Sequence, residues 1–256
     1  VTDLVLSASS LDAYDECHYR WYLQYVERHG GEQSVAAAIG LAVHRAIEEH
    51  YKHQMLGEEL PVATLTALYD FTYITETSGI ADPDLPIKEA MIWGRRALIS
   101  YLEDVAPDVE PVLVEYGSEL EVDGILVSGH LDVADARGVV RDTKIKKTKP
   151  RDPSRYLRAF TIYALLYRDR MGKLETDVQL DVIVRLKRDR PYHVPYNYGG
   201  PVSDHDVATL AGSLNRVASG IAKGDYRPTG LEEGACRFCP VSIVCEYYQE
   251  ERVSGR

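Results

Sequence analysis

Residues 125–144 read ILVSGHLDVADARGVVRDTK. Two β-branched, apolar-rich runs, Ile125–Ala134 and Val139–Lys144, flank the turn signal Arg137-Gly138, so the stretch predicts two neighbouring strands joined by a short turn. On a strand the side chains of Asp142 and Lys144, two positions apart, project from the same face. Asp132 lies on the preceding strand and can approach Asp142 across the hairpin. Two carboxylates brought together repel unless a cation sits between them. Hard oxygen ligands that leave positions open favour Mg²⁺ or Mn²⁺ over a structural zinc. A lysine beside such a site can orient an attacking water or stabilise charge developing on a phosphate. The plainer alternative is an aspartate closing a turn beside a surface ion pair.

Outward from this hairpin the texture is uneven. Val112–Val122 is β-rich and meets Ile125 through Asp123-Gly124, a strong hairpin signal. Downstream, Tyr156–Met171 has helical spacing, Val178–Leu186 reads as a strand, and Asp204–Ile221 as a late helix. Before Pro107 the chain is mostly α. Ser9 or Ser10 is expected to cap a helix carrying Leu11, Tyr14, His18, Trp21, Tyr22 and Tyr25. A second helix is expected over Val35–Met55, with His44 on the face of Gly40, Ile47 and Tyr51. Residues 61–78 and 86–105 form two more, broken by Asp82-Pro83 and Leu85-Pro86. The expectation is an α/β fold in one domain, 1–256. Residues 1–107 form its helical part, 108–190 a sheet core flanked by helices, and 191–256 a C-terminal helix with a cysteine module.

At 256 residues, 45% hydrophobic and 27% charged, the chain is long enough to bury a sizeable core. No apolar run is long enough to span a bilayer, and Val1-Thr2-Asp3-Leu4 does not look like a signal peptide. The expected setting is therefore cytoplasmic and reducing, with no membrane partner. The net charge is −11, yet Lys146, Lys147, Lys149, Arg151, Arg155 and Arg158 crowd one segment, and Arg185, Lys187, Arg188 and Arg190 another. Local basic stretches on an acidic chain fit a groove for a polyanion as well as a solvated face. No phosphate-binding loop of the G-x-x-x-x-G-K-[ST] type is present. Cys236, Cys239 and Cys245 cluster late in the chain, and Cys17 stands alone near its start. In a reducing compartment these thiols suit a tetrahedral zinc or an iron–sulfur cluster better than two disulfides.

Gly129-x-x-Asp132 followed by Asp142-x-Lys144 resembles the PD-(D/E)xK nuclease signature. Leu6-Ser7-Ala8-Ser9-Ser10-Leu11 leading to Cys17-His18-Tyr19-Arg20-Trp21, Gly40-Leu41-Ala42-Val43-His44, and the cysteine tail narrow the resemblance. Together they are similar to the RecB-like branch that carries an iron–sulfur cluster and includes AddB nucleases and CRISPR-adaptation exonucleases. The resemblance implies a restriction-endonuclease-like mixed sheet, with the cysteine module closing onto the first helix. It implies that His44, Asp132, Asp142 and the backbone carbonyl of Thr143 bind Mg²⁺ or Mn²⁺, with Lys144 as the catalytic lysine. Cys17, Cys236, Cys239 and Cys245 would hold a [4Fe–4S] cluster. Glu115 and Tyr163 would be auxiliary, while Ala159 stands where the branch usually has glutamine. The basic residues from Lys146 to Arg158 would hold a DNA backbone largely without reading sequence. The implied activity is exonucleolytic digestion of single-stranded or end-bearing DNA in recombination, repair or replication, beside a helicase or recombination partner. The alternative is a DNA-binding or assembly module with weakened catalysis. Oligomeric state is open.

Overall fold

The computed structural model describes residues 4–31, 34–81, 83–186, 189–231 and 235–249, with positions 237 and 238 described in backbone only. The chain forms two compact units. One comprises residues 33–118 and 130–203; the other comprises residues 1–32, 119–129 and 204–256.

The first unit begins with three helices, α3 (Val35–Met55), α4 (Val62–Thr77) and α5 (Ile87–Asp104). They follow α1 (Ala8–Glu16) and α2 (His18–Trp21), which belong to the second unit. Ser34 caps α3 by accepting from the Ala37 N–H at 3.0 Å, the usual role of a serine at a helix start. Val35, Ile39, Ala42, Val43, Ala46 and Ile47 recur at helical spacing on its buried face, giving the apolar stripe expected of a core-facing helix. Pro61 and Pro86 immediately precede α4 and α5. Tyr69 and Tyr73 of α4 donate to the carbonyls of Met91 and Ile87 at 3.1 and 2.8 Å.

The sheet follows: β2 (Pro111–Val122), β3 (Ile125–Asp135), β4 (Val139–Lys146), β5 (Asp177–Val184) and β6 (Tyr192–Asn197). β3 pairs with β2 and runs antiparallel to β4. β4 and β5 are parallel, with α6 (Leu157–Met171) in the crossover between them. This is the connection that parallel strands require. β6 pairs antiparallel with β5 at the sheet edge, where its Pro195 interrupts no inner ladder. The sheet is therefore mixed and flanked by helices. Alternation along β4 separates Asp142 and Lys144 from Arg141 and Thr143. Arg141 donates to Asp181 at 3.0 Å, and His193 lies 2.7 Å from the same carboxylate.

In the second unit, β1 (Val5–Leu6) pairs in parallel with the start of β3, Val5 opposite Leu126. Ser7, rather than Ser9 or Ser10, caps α1 (Ala8–Glu16): it accepts from the Ser10 N–H at 3.2 Å, and the Ser10 hydroxyl accepts from the Ser7 N–H at 2.7 Å. The expected single helix is interrupted at Cys17, whose backbone is extended (φ −166°, ψ 118°). It restarts as α2 (His18–Trp21) and continues as one π-helical turn, Tyr22–Val26. α7 (Asp204–Ala222) and the cysteine segment complete this unit. No helix among the described residues is long and apolar enough to cross a membrane.

Candidate active site and thiol pocket

His44 comes from the middle of α3, Glu115 from β2, Asp132 from β3, and Asp142 to Lys144 from β4. One ligand atom each from His44, Glu115 and Asp132 lies within 4.8 Å of the others. His44 Nε2 donates to the carbonyl of Thr143 at 2.8 Å, and its Nδ1 lies 3.4 Å from Asp132 Oδ2. That same oxygen accepts the Thr143 N–H at 2.7 Å. The helix-borne imidazole thus meets the strand pair at the carbonyl that the sequence resemblance singles out. Lys144 Nζ donates to Asp142 Oδ1 at 2.7 Å, while Oδ2 of the same buried carboxylate has no hydrogen-bond partner among the described residues.

Burial sets the electrostatics. It pushes the Asp142 carboxyl up against the lowering influence of Lys144, with the Asp132 charge adding to the rise. Burial pushes the Glu115 carboxyl up to about 7, helped by the charges of Asp132 and Glu48. For Lys144, burial works against the charge, but Asp142 and Asp132 outweigh it and hold the ammonium. A buried carboxylate oxygen without a donor is costly. Buried Asp142 and half-buried Asp132 and Glu115, with an imidazole and a backbone carbonyl, form a donor set short of positive charge. The residues present fit a hard divalent cation.

Two members of the site carried no role in the sequence reading. His130 lies 3.0 Å from Glu115 Oε2, and its ring occupies the space that a side chain at Gly117 would fill, 2.6 Å from the Cβ position. Glu48 stands one helical turn beyond His44, and that spacing is the one signal that could have marked it. Glu115 also has a positive φ of 48° within β2, which redirects its side chain as a bulge does. Tyr163, half-buried on α6, has its hydroxyl pushed up by burial and then by Asp142. Of the basic segment, Lys146, Lys147, Lys149, Arg151 and Arg155 are exposed and Arg158 is half-buried. In the second basic cluster Arg190 is paired with Glu103 and Asp104, and Arg185 lies over the Trp93 ring. Lys187 and Arg188 lie outside the described residues. A cleft of ≈ 660 Å³ is lined by His44, Glu115 and Asp132 together with further residues of α3 and α4.

In the other unit, Cys17, Cys236, Cys239 and Cys245 line one small pocket, and none of the four is in a disulfide. The extended backbone at Cys17 that interrupts the first helix falls at the position where its side chain enters this pocket. Gly230 leaves the room: a Cβ there would lie 3.0 Å from that of Cys17. Burial pushes the thiols of Cys239 and Cys245 up, so thiolates there need a compensating cation. Four thiols lining one pocket are the soft donors that a thiophilic metal or cluster takes.

A family model described as the PD-(D/E)XK nuclease superfamily matches residues 5–246. Among solved structures, that of a candidate exonuclease from Eubacterium rectale superposes with a TM-score of 0.57 at 12% identity, covering 88% of this chain and 83% of that one. At that identity the likeness is one of fold. The structure of SSO0001 aligns with a TM-score of 0.38 at 18% identity, over 90% of this chain and 95% of that one, too weakly to carry an argument. No curated protein matches the chain.

Proposed function

The chain belongs to the PD-(D/E)XK nuclease superfamily, and from that premise we propose that it is a divalent-metal-dependent deoxyribonuclease of the RecB-like branch, acting exonucleolytically on single-stranded or end-bearing DNA. The observation that carries this reading is the convergence of His44 and Asp132 on the backbone of Thr143, the residue that follows buried Asp142 on β4. These groups would hold the ion, with Glu115 as a further carboxylate. The chemistry such an ion supplies when bound is Lewis-acid polarisation of the scissile phosphate. Lys144, fixed by Asp142, presents an ammonium that orients the attacking water and shares the charge developing on phosphorus-bound oxygens. Burial around Asp142 and Lys144 strengthens both effects by lowering the local dielectric. The exposed run from Lys146 to Arg155 would track the phosphate backbone, so binding should weaken steeply with salt.

Digestion of end-labelled single- and double-stranded DNA with Mg²⁺ and with Mn²⁺ tests the reading. Asp142→Ala and Lys144→Ala should each lower turnover by roughly 100-fold or more with an unchanged circular dichroism spectrum. Cleavage persisting in both variants refutes the assigned site.

The four cysteines are proposed to hold a structural [4Fe–4S] cluster, supported by their shared pocket and by the family resemblance. Purified protein should then be brown, with broad visible absorption and about four irons per chain, the content of such a cluster. A colourless protein with one zinc overturns this assignment and leaves the nuclease reading standing.

A further inference from the structure

The cleft over His44, Glu115 and Asp132 has walls of two kinds. Leu41 lies one helical turn before His44 on α3, and Phe71 projects from α4. Both are large apolar side chains left in water, Leu41 51% and Phe71 71% exposed. The Thr75 hydroxyl donates to the Phe71 carbonyl at 2.9 Å, tying one turn of the helix that carries the ring. The rest of the lining is polar, with four carboxylates (Glu48, Glu76, Glu115 and Asp132) and the imidazoles of His44 and His130. Arg45 is the only lysine or arginine among the lining residues, and Glu48 and Glu49 already engage it at 2.6 and 3.3 Å. A nucleic acid entering here therefore finds no free Lys or Arg for its phosphates. It finds an exposed aromatic face beside the candidate metal ligands.

We infer that Phe71, with Leu41 alongside, is a base-stacking platform that seats an unpaired nucleotide next to the scissile phosphate and so selects single strands and frayed ends over intact duplex. The inference rests on the nuclease reading for the identity of the polymer. A π-face stacks on any base, so the platform tolerates sequence. In a duplex the faces of the bases are already stacked on their neighbours, and the ring has nothing to receive. Because Phe71 packs against little, its loss removes a contact with substrate and not a part of the core.

The test is fluorescence anisotropy with fluorescein-labelled ten-residue oligothymidylate and with an abasic strand of equal length, both in Ca²⁺, alongside cleavage of end-labelled strands in Mg²⁺ and Mn²⁺. Phe71→Ala should weaken oligothymidylate binding about tenfold, leave abasic binding unchanged, and keep the melting temperature of the parent. Phe71→Trp should restore affinity, with its indole fluorescence quenched on binding. Equal affinities of Phe71→Ala and parent for oligothymidylate, an equal loss on both probes, or no binding of either probe by the parent overturns the platform. Cleavage by a parent whose Phe71→Ala variant binds normally sinks the platform and spares the nuclease. A base-dependent loss in a parent that cleaves nothing does the reverse.

Discussion

Glu115 holds a backbone conformation that residues with a Cβ avoid, and it does so beside His44 and Asp132. A left-handed φ costs a non-glycine residue about 1–2 kcal/mol, and the half-buried carboxyl is crowded by Asp132 and Glu48 as well. Both costs weigh on the metal-free chain, and a proton or a cation on the carboxylate relieves the second. Glu115→Gln keeps the backbone demand and removes the charge. Its melting temperature in EDTA should equal or exceed that of the parent, while the rise on adding Mn²⁺ should shrink; an undiminished rise in differential scanning fluorimetry removes Glu115 from the ligand set. Asp132, Asp142 and Lys144 were legible in the sequence because strand periodicity and a short turn bring such positions together without help from the rest of the fold. His44 was legible through resemblance alone, since nothing local to α3 says that its ring meets Thr143. His130 and the left-handed φ of Glu115 were not legible: the first depends on the bare backbone of Gly117 on a neighbouring strand, and glutamate is no left-handed former.

Gly94 shows the same dependence between helices. A Cβ there would collide with the Tyr69 hydroxyl and lie 2.9 Å from Ile39 Cγ2, in a core where all three residues are buried. Gly94→Ala gains up to about 1 kcal/mol of helix propensity, but overpacking costs roughly 1–3 kcal/mol. Chemical denaturation should show a net loss of stability and an unchanged slope. A second element-scale device joins the end of α6 to the chain before β5. Arg168 donates to both oxygens of Glu175, at 2.8 and 2.7 Å, and the Val202 N–H donates to Oε1 at 2.7 Å. Burial alone would raise this carboxyl, but these donors outweigh it and hold it below the ordinary glutamate range. With the folded value depressed, the stabilisation is complete above the unfolded pKa of about 4.3 and fades as pH falls through the folded one. Arg168→Met should cost about 3 kcal/mol at pH 7, and the gap to the parent should narrow below pH 4 in urea titrations; a constant gap would show that the guanidinium acts by packing. The long helices and the β2–β3–β4 meander follow from periodicity and turn residues. The break at Cys17 and strand β6 do not, because side-chain entry into a pocket decides the first and edge pairing around Pro195 the second.

At the scale of the whole molecule, compactness cuts across chain order. A linear reading divides the sequence near residues 107 and 190, whereas the unit holding the four cysteines gathers residues 1–32, 119–129 and 204–256. Only long-range contacts, absent from composition, group them so. Cys17→Ser should abolish iron retention and lower the melting temperature, because a ligand set drawn from remote segments makes binding free energy part of folding free energy. Iron content and melting temperature equal to the parent's would show that Cys17 is a bystander. The pocket also has a history in time. Translation delivers Cys17 roughly 230 residues ahead of Cys245, on the order of 10–45 s at common elongation rates. Until Cys236 emerges, Cys17 has none of its three partners. Delivery of Cys245 is thus what completes the receptacle, and a filled one certifies that the strands bearing Asp132 and Asp142 left the ribosome first.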